Sequence, residues 1–334
     1  MDKCTICGSF DTRLCSAKYP GYVEGTAFDI YSCNQCAAHF VPPHDADEKI
    51  YEMIYGGDTP GYDRYRVYAD KVKSHPFPLK YLSDTEASYF PVYQCLGDSA
   101  PCNILEVGCG YGYLTFALRS LGHNAWGIDV SRKAIRFARE NFGDYYEWAD
   151  IQSFKSRAPQ QFDFIVAIEV IEHVPEPGAF IDHCRGLLAE NGLIIISTPN
   201  KDFASRGVIW QTDPPPVHMV WLGHKSFVSL ANNKDMGLTF IDYKTHYPSR
   251  ENKLITYMMS RGKFSPRLSV VSNGGVAVKR WTGRPIARLI KSFFVDLPPV
   301  RYLFNFIFNL LGKEQRVLSP ILTKRKEGKG PEAG

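Results

Sequence analysis

The sequence lacks any apolar run long enough to cross a membrane. Its longest, Phe162–Ile171, Leu193–Ile196 and Phe304–Leu311, fall short of the ~20 residues a spanning helix needs. No apolar h-region follows Met1-Asp2-Lys3-Cys4, which argues against a secretory leader. The expected setting is a reducing cytoplasm, where the nine cysteines serve as ligands or buried thiols and not as disulfides. Internal repeats are absent, and only the tail from Lys324, made of Lys, Glu, Gly and Pro, has a disordered composition. With 334 residues, 44% hydrophobic and 22% charged, the chain has room for two domains or one elaborated one. That balance excludes fully disordered, collagen-like and small disulfide-stapled classes.

An excess of either sign of charge is small over most of the length, and the net +4 hides an asymmetry. Lys279–Gly334 carries 12 Lys/Arg against 4 Asp/Glu, and the remaining 278 residues are net −4. A basic C-terminal region is either a solvated segment or a contact for an anionic surface.

What is present is a clear alternation from Cys102 onward. Strand-like runs at Ile104–Val107, Ala125–Asp129, Tyr145–Ala149, Phe162–Val170 and Leu193–Ser197 are separated by helix-period windows at Leu114–Leu121, Arg132–Asn141 and Gly178–Glu190. Such alternation predicts βαβ units and a parallel, doubly wound sheet. A helix at Ser226–Asp235 and a strand at Leu238–Thr245 follow. Beyond them an apolar helix is expected around Val300–Leu311, and a last strand at Gly274–Arg280 or Arg316–Lys324. Pro320 counts against the second choice unless that strand lies at an edge.

Two C-x₂-C knuckles, Cys4/Cys7 and Cys33/Cys36, stand 25 residues apart. Paired knuckles suit tetrahedral Zn²⁺, and four thiolates close the site, so a structural metal is expected. A nucleic-acid-reading module normally shows a basic stripe. Here Lys3, Arg13 and Lys18 face Asp2, Asp11 and Glu24, so no nucleic-acid partner is expected and the module reads as a scaffold or substrate cap. Cys15, Cys95, Cys102, Cys109 and Cys184 follow no ligand spacing.

The most informative stretch is Ile104-Leu105-Glu106-Val107-Gly108-Cys109-Gly110-Tyr111-Gly112-Tyr113, a strand entering a glycine-rich turn before a helix. Glycines there permit left-handed backbone and close approach of a ligand. The dinucleotide pattern G-x-G-x-x-G is broken by Tyr113, which disfavours a nicotinamide oxidoreductase. With Gly127-Ile128-Asp129-Val130-Ser131, 21 residues on from Gly108 to Asp129, the stretch resembles class I S-adenosylmethionine-dependent methyltransferases.

The resemblance implies a Rossmann-like, doubly wound α/β fold with a mostly parallel seven-stranded sheet and a small N-terminal zinc ribbon. It implies that Gly108, Gly110 and Gly112, with Cys109 among them, turn under the methionine part of the cofactor. Glu106 would steady that loop, Asp129 would hold the ribose, and Val130 would pack on the adenine. Asp150 and Ile151 would meet the adenine edge, though Asp150 also reads as a helix N-cap. Glu169-Val170-Ile171-Glu172-His173-Val174 looks like the segment after the fourth strand in the ubiquinone-biosynthesis-like branch, with Glu169 expected among the cofactor-binding residues. The expected organisation is zinc ribbon 1–44, helical connector 45–95, methyltransferase domain 96–325 with an insertion or cap at 246–312, and tail 326–334.

A cysteine ribbon before such a domain resembles a group acting on sugars, polysaccharides and natural products. The expected reaction is O-methylation of a glycan or small-molecule hydroxyl; C-methylation of a nucleotide-linked sugar and a non-catalytic binding protein are the alternatives. A hydroxyl acceptor needs a base, and histidine serves near neutral pH. His218, in Asp213-Pro214-Pro215-Pro216-Val217-His218, is the preferred candidate, then His173 and His224. His123 and His183 are expected at the surface. Trp210, Trp221 and the tyrosines between 51 and 93 read as core, with a carbohydrate platform as the alternative. No Asn/Asp-Pro-Pro-Tyr motif follows the fourth strand, which lowers nucleic-acid amino-methylation. The segment 284–311, alternating basic with apolar residues, reads as a cap on the core or a peripheral membrane contact. Oligomeric state is not legible.

Overall fold

A computed structural model describes residues 2–23, 25–43, 63–158, 160–203, 214–246, 269–272, 275–278, 298–311 and 315–325. The tail 326–334, Trp210 and most of the stretch 246–312 lie outside the described residues.

The N-terminal part is an antiparallel meander, β1 (Thr12–Pro20), β2 (Ala27–Cys33) and β3 (His39–Phe40). Three helices follow, α1 (Asp63–Ser74), α2 (Pro78–Thr85) and α3 (Phe90–Leu96). Strand–helix alternation then runs β4 (Asn103–Val107), α4 (Tyr113–Arg119), β5 (Asn124–Asp129), α5 (Arg132–Phe142), β6 (Tyr146–Trp148), α6 (Ile151–Lys155), β7 (Phe162–Ile168), α7 (Pro177–Leu187) and β8 (Leu188–Pro199). The remaining elements are β9 (Val220–Trp221), α8 (His224–Asn233), β10 (Met236–Phe240), a hairpin β11 (Ser269–Ser272) and β12 (Gly275–Val278), α9 (Pro298–Leu310), β13 (Val317–Leu318) and β14 (Pro320–Lys324).

The main sheet has the order β10-β14-β8-β7-β4-β5-β6, with β13 paired to the end of β8. The β4–β5, β5–β6, β4–β7 and β7–β8 pairs are parallel, and β14 is antiparallel to both its neighbours. This is the mostly parallel, seven-stranded path that the alternation and the resemblance lead one to expect.

Side chains alternate across this sheet with period two, as a strand covered on both faces requires. Leu105, Ile165 and Ile194 point into one core with α7 and α8, while Ile104, Val166 and Ile195 point into the other with α1–α4. The first helix-period windows become helices for local reasons as well. Ser131 caps α5 by accepting the Ala134 amide at 3.2 Å, and Gly143, at φ +95°, ends it.

The C-terminal strands differ from expectation in two ways. The strand expected at Leu238–Thr245 stops at Phe240, because Asp242 accepts the Lys244 amide at 2.9 Å and turns the chain. The last strand is β14, and it lies inside the sheet between β10 and β8. Pro320 is tolerated there because it is the first residue of its strand, opposite Phe240, the last of β10. The hairpin β11–β12 stays outside the main sheet.

Strand order reverses at β4: the chain winds to β5 and β6 on one side, then returns to β7 and β8 on the other. In open α/β sheets the crevice at the carboxyl ends beside this switch point holds ligands.

Candidate functional site

The turn after β4 is a backbone cradle. Gly108, Gly110 and Gly112 have φ of +73°, +51° and +79°, in the left-handed region that favours glycine. The Gly108 and Cys109 amides both donate to the Ile128 carbonyl, at 2.8 and 3.0 Å, tying the turn to β5. A Cβ on Gly108 would sit 2.5 Å from Val170, and one on Gly112 2.5 Å from Tyr146. Cys109 is buried, and its sulfur fills the space where Gly127 has no side chain. Tyr113, where a dinucleotide site would carry glycine, turns into a tyrosine cluster instead, its hydroxyl bonded to that of Tyr89 and its ring against Tyr65 and Tyr68.

Two acids flank the cradle. Asp129 ends β5 with its oxygens accepting the Gly110 and Ser131 amides, each at 2.8 Å. Each carboxylate oxygen has a second lone pair, so Asp129 can brace the loop and still accept ligand hydroxyls. Glu106 is buried and accepts the Thr115 hydroxyl, which ties β4 to α4. Burial pushes its carboxyl up to about 8 against that hydrogen bond, and Asp129 adds to the rise.

Beside Asp129 lies an apolar shelf. Val130 and Trp148 are each 46% exposed at the ends of β5 and β6. The Trp148 indole donates to the Val130 carbonyl at 2.9 Å, and the Arg132 guanidinium lies 3.9 Å over its ring. Asp150 caps α6 through the Ser153 amide at 2.8 Å, with Ile151 buried behind it. Desolvation acts against the Asp150 charge, but the Ser153 and Gln152 amides hold its carboxyl below the usual range. Glu169 closes β7 at φ +54°, its amide donating to the Ser197 carbonyl at 2.8 Å and its charge acting on Arg64 and Tyr65 of α1. Close backbone, a carboxylate on the adjacent strand and an exposed apolar shelf fit an adenosine ligand with free ribose hydroxyls, S-adenosylmethionine among them.

On the other side of the switch point, a one-turn helix at Ile171–His173 follows β7. The Glu172 carboxylate accepts the Thr198 hydroxyl at 2.9 Å, and its backbone carbonyl accepts the Met219 amide at 2.7 Å. His173 Nδ1 lies 2.7 Å from the Val217 carbonyl. A carbonyl only accepts, so Nδ1 carries the proton and Nε2 is the basic nitrogen of the neutral ring. His218 is buried, its ring 4.8 Å from that of His173 at 67°. Donor atoms of Glu172, His173 and His218 all lie within 4.8 Å of one another, an arrangement that could also hold a divalent cation.

Three contacts clamp the His218 loop from the N-terminal module. The Tyr22 amide donates to the Pro215 carbonyl at 2.7 Å, the Val41 amide donates to the Met219 carbonyl at 2.9 Å, and β3 pairs with β9 as His39↔Trp221 and Phe40↔Val220. Sequence patterning could not show this, because two-residue strands carry no period. His224 stands apart at the start of α8, 3.4 Å from Asp202, and its hydrogen bond lowers that carboxyl. His123, expected at the surface, is buried: its ring lies 3.3 Å from the Leu96 carbonyl and 3.4 Å from the Cys102 sulfur. Trp221, Tyr68 and Tyr89 are core residues, as read first. A small crevice at the carboxyl end of β8, where Val317 pairs with Pro199, is lined by Ala87, Phe203, Tyr243, Phe308 and Arg316 among others.

The four cysteines converge. Cys4 and Cys36 sulfurs are 3.6 Å apart, and Cys7 and Cys33 sulfurs 3.5 Å. Those separations are too long for disulfides, at ~2.05 Å, and close to the ~3.8 Å tetrahedral edge that Zn–S bonds of ~2.3 Å give. Crowding splits the thiols: a hydrogen bond from Cys36 brings Cys4 down to about 5, and burial pushes Cys7 up to about 11. The donor set fits a closed zinc site.

Residues 78–252, more than half of the chain, match a family model described as a methyltransferase domain. The ubiquinone biosynthesis O-methyltransferase of Thiobacillus denitrificans is 33% identical over 107 residues, covering 30% of this chain and 46% of that protein. Its counterpart in Bradyrhizobium diazoefficiens is 31% identical over 140 residues, covering 39% and 53%. The chain thus spans about half the length of the curated relatives it matches. Among solved structures, the plantazolicin methyltransferase BpumL in complex with SAH is 18% identical, covering 84% of this chain and 98% of that one at a TM-score of 0.42. A SAM-dependent methyltransferase from Archaeoglobus fulgidus is 15% identical, covering 78% and 99% at 0.46. With the switch-point cradle and the family match over residues 78–252, the chain belongs to the methyltransferase-domain family.

Proposed function

We propose that the protein transfers the methyl group of S-adenosylmethionine to a hydroxyl of a sugar, a polysaccharide or a related natural product. The observation that carries this reading is the imidazole pair, half-buried His173 against buried His218, at the switch point that also holds the glycine cradle. O-methylation is also the activity in the names of the relatives.

Bound S-adenosylmethionine supplies a methyl group already activated on a sulfonium, so the chain's own work is placement and proton transfer. The Gly108–Gly112 turn would lie under the methionine portion, Asp129 would accept the ribose hydroxyls, and Val130 would pack on the adenine with Asp150 at its edge. The acceptor would enter beside the crevice that Phe203, Tyr243 and Arg316 help to line. His218 takes the hydroxyl proton as the oxygen–methyl bond forms. His173, held by Val217, orients its neighbour. The four thiolates would hold a structural Zn²⁺ remote from the reacting atoms, its effect passing through β3 and β9.

Incubation with S-adenosylmethionine and a panel of glycan and phenolic hydroxyl acceptors tests this, read by mass spectrometry of the product. Expected is methyl transfer to an oxygen, and a loss of ~10²–10⁴-fold in turnover for His218→Ala with cofactor affinity intact. Methyl groups found on carbon, or unchanged turnover in His218→Ala, would overturn it.

A further inference from the structure

Helix α9 has the reverse of the usual surface-helix pattern. Turned inward are Asn305, Phe308 and Asn309, with the Asn309 amide donating to the Lys244 carbonyl at 2.6 Å. Turned outward are Tyr302, Leu303, Phe306 and Leu310, between 44% and 71% exposed, and Leu311 just past the helix is exposed as well. At ~100° per residue, positions 302, 303, 306 and 310 fall within one arc of about 100°. An amphipathic helix normally hides such an arc against the core, yet here the core side carries two asparagines.

We propose that this face of α9 lies in the interface of an anionic lipid bilayer and docks the protein on it as a peripheral contact. Thirteen residues are too few to span the ~20-residue thickness of a bilayer core, and among the described residues no helix is long and apolar enough to cross a membrane. An apolar arc of this kind lies in the headgroup plane. Charge selects the occupant. Between Lys279 and Lys313 the sequence has seven Lys/Arg and one acid, Asp296. Of these charges Arg301 alone lies among the described residues; two copies of a chain this basic around α9 repel one another, whereas anionic headgroups attract it. The helix belongs to the part of the chain beyond the family match at 78–252.

Flotation of the full chain with vesicles tests the assignment, using phosphatidylcholine alone and phosphatidylcholine with phosphatidylglycerol. Expected is flotation with the anionic vesicles only, weakened by added salt. The triple variant Leu303→Ser, Phe306→Ser, Leu310→Ser should lose about ten-fold or more of this partitioning while keeping its affinity for S-adenosylhomocysteine. Phe306→Asp alone should shift it the same way, which guards against a folding defect in the triple variant. Absence of wild-type flotation, equal flotation on neutral vesicles, or undiminished flotation of both variants would overturn it. So would a dimer in sedimentation velocity that the same substitutions abolish, which would place a second copy on this face.

Discussion

Asp129 accepts the Gly110 and Ser131 amides, and in the proposed reading the same carboxylate also accepts the ribose hydroxyls. Asp129→Ala should therefore weaken S-adenosylhomocysteine binding about 10- to 100-fold, the worth of charge-assisted hydrogen bonds, and calorimetry reads it directly. Unchanged affinity would remove the assignment. Glu106 makes a different prediction, on stability. Its carboxyl rises from an ordinary 4.5 to about 8 in the fold, so between those values the native state keeps a proton the unfolded chain has released. Stability contributed by this group is then full below 4.5 and drains away as pH rises through about 8. Melting curves should show Glu106→Gln gaining on the unliganded wild type as pH climbs across that window. Parallel curves would mean that Glu106 is charged in its pocket. Glu106, Asp129 and the three glycines were legible in the sequence because spacing around one turn is local. The burial of His123 was not, since its partners Leu96 and Cys102 come together only when α3 packs beside β4.

At the scale of elements, the informative contact is β3 on β9. It joins the cysteine-bearing meander to the loop that carries His218, and the Tyr22 and Val41 amides reinforce it on either side. Zinc analysis should find about one metal per chain, lost in Cys4→Ser/Cys33→Ser. In that variant the loop loses its support, so turnover should fall while S-adenosylhomocysteine affinity stays near wild type, because the cradle belongs to β4 and β5. Equal loss of both would mean global unfolding and would contradict the clamp. Parallel strands and amphipathic helices were readable from period-two and 3.6-residue patterns. Short pairings such as β3–β9 and the interior position of β14, with Pro320 at its head, depend on tertiary geometry that no local pattern encodes.

The whole molecule sets a glycine cradle on one side of the switch point and an imidazole pair on the other, with the cysteine module clamped to the loop that carries His218. The fold class follows from strand–helix alternation, but the acceptor does not: the crevice proposed to lie beside its entry is built from segments far apart in sequence, Ala87, Phe203, Tyr243 and Arg316. The cradle's ligand is the claim on which the other roles rest. Isothermal titration of S-adenosylhomocysteine into the folded 334-residue chain tests it most directly. Expected is saturable heat with about one site per chain, the switch-point crevice of such a sheet, and no comparable heat with a nicotinamide dinucleotide. Folded protein that gives no heat with S-adenosylhomocysteine, or prefers the dinucleotide, would contradict it.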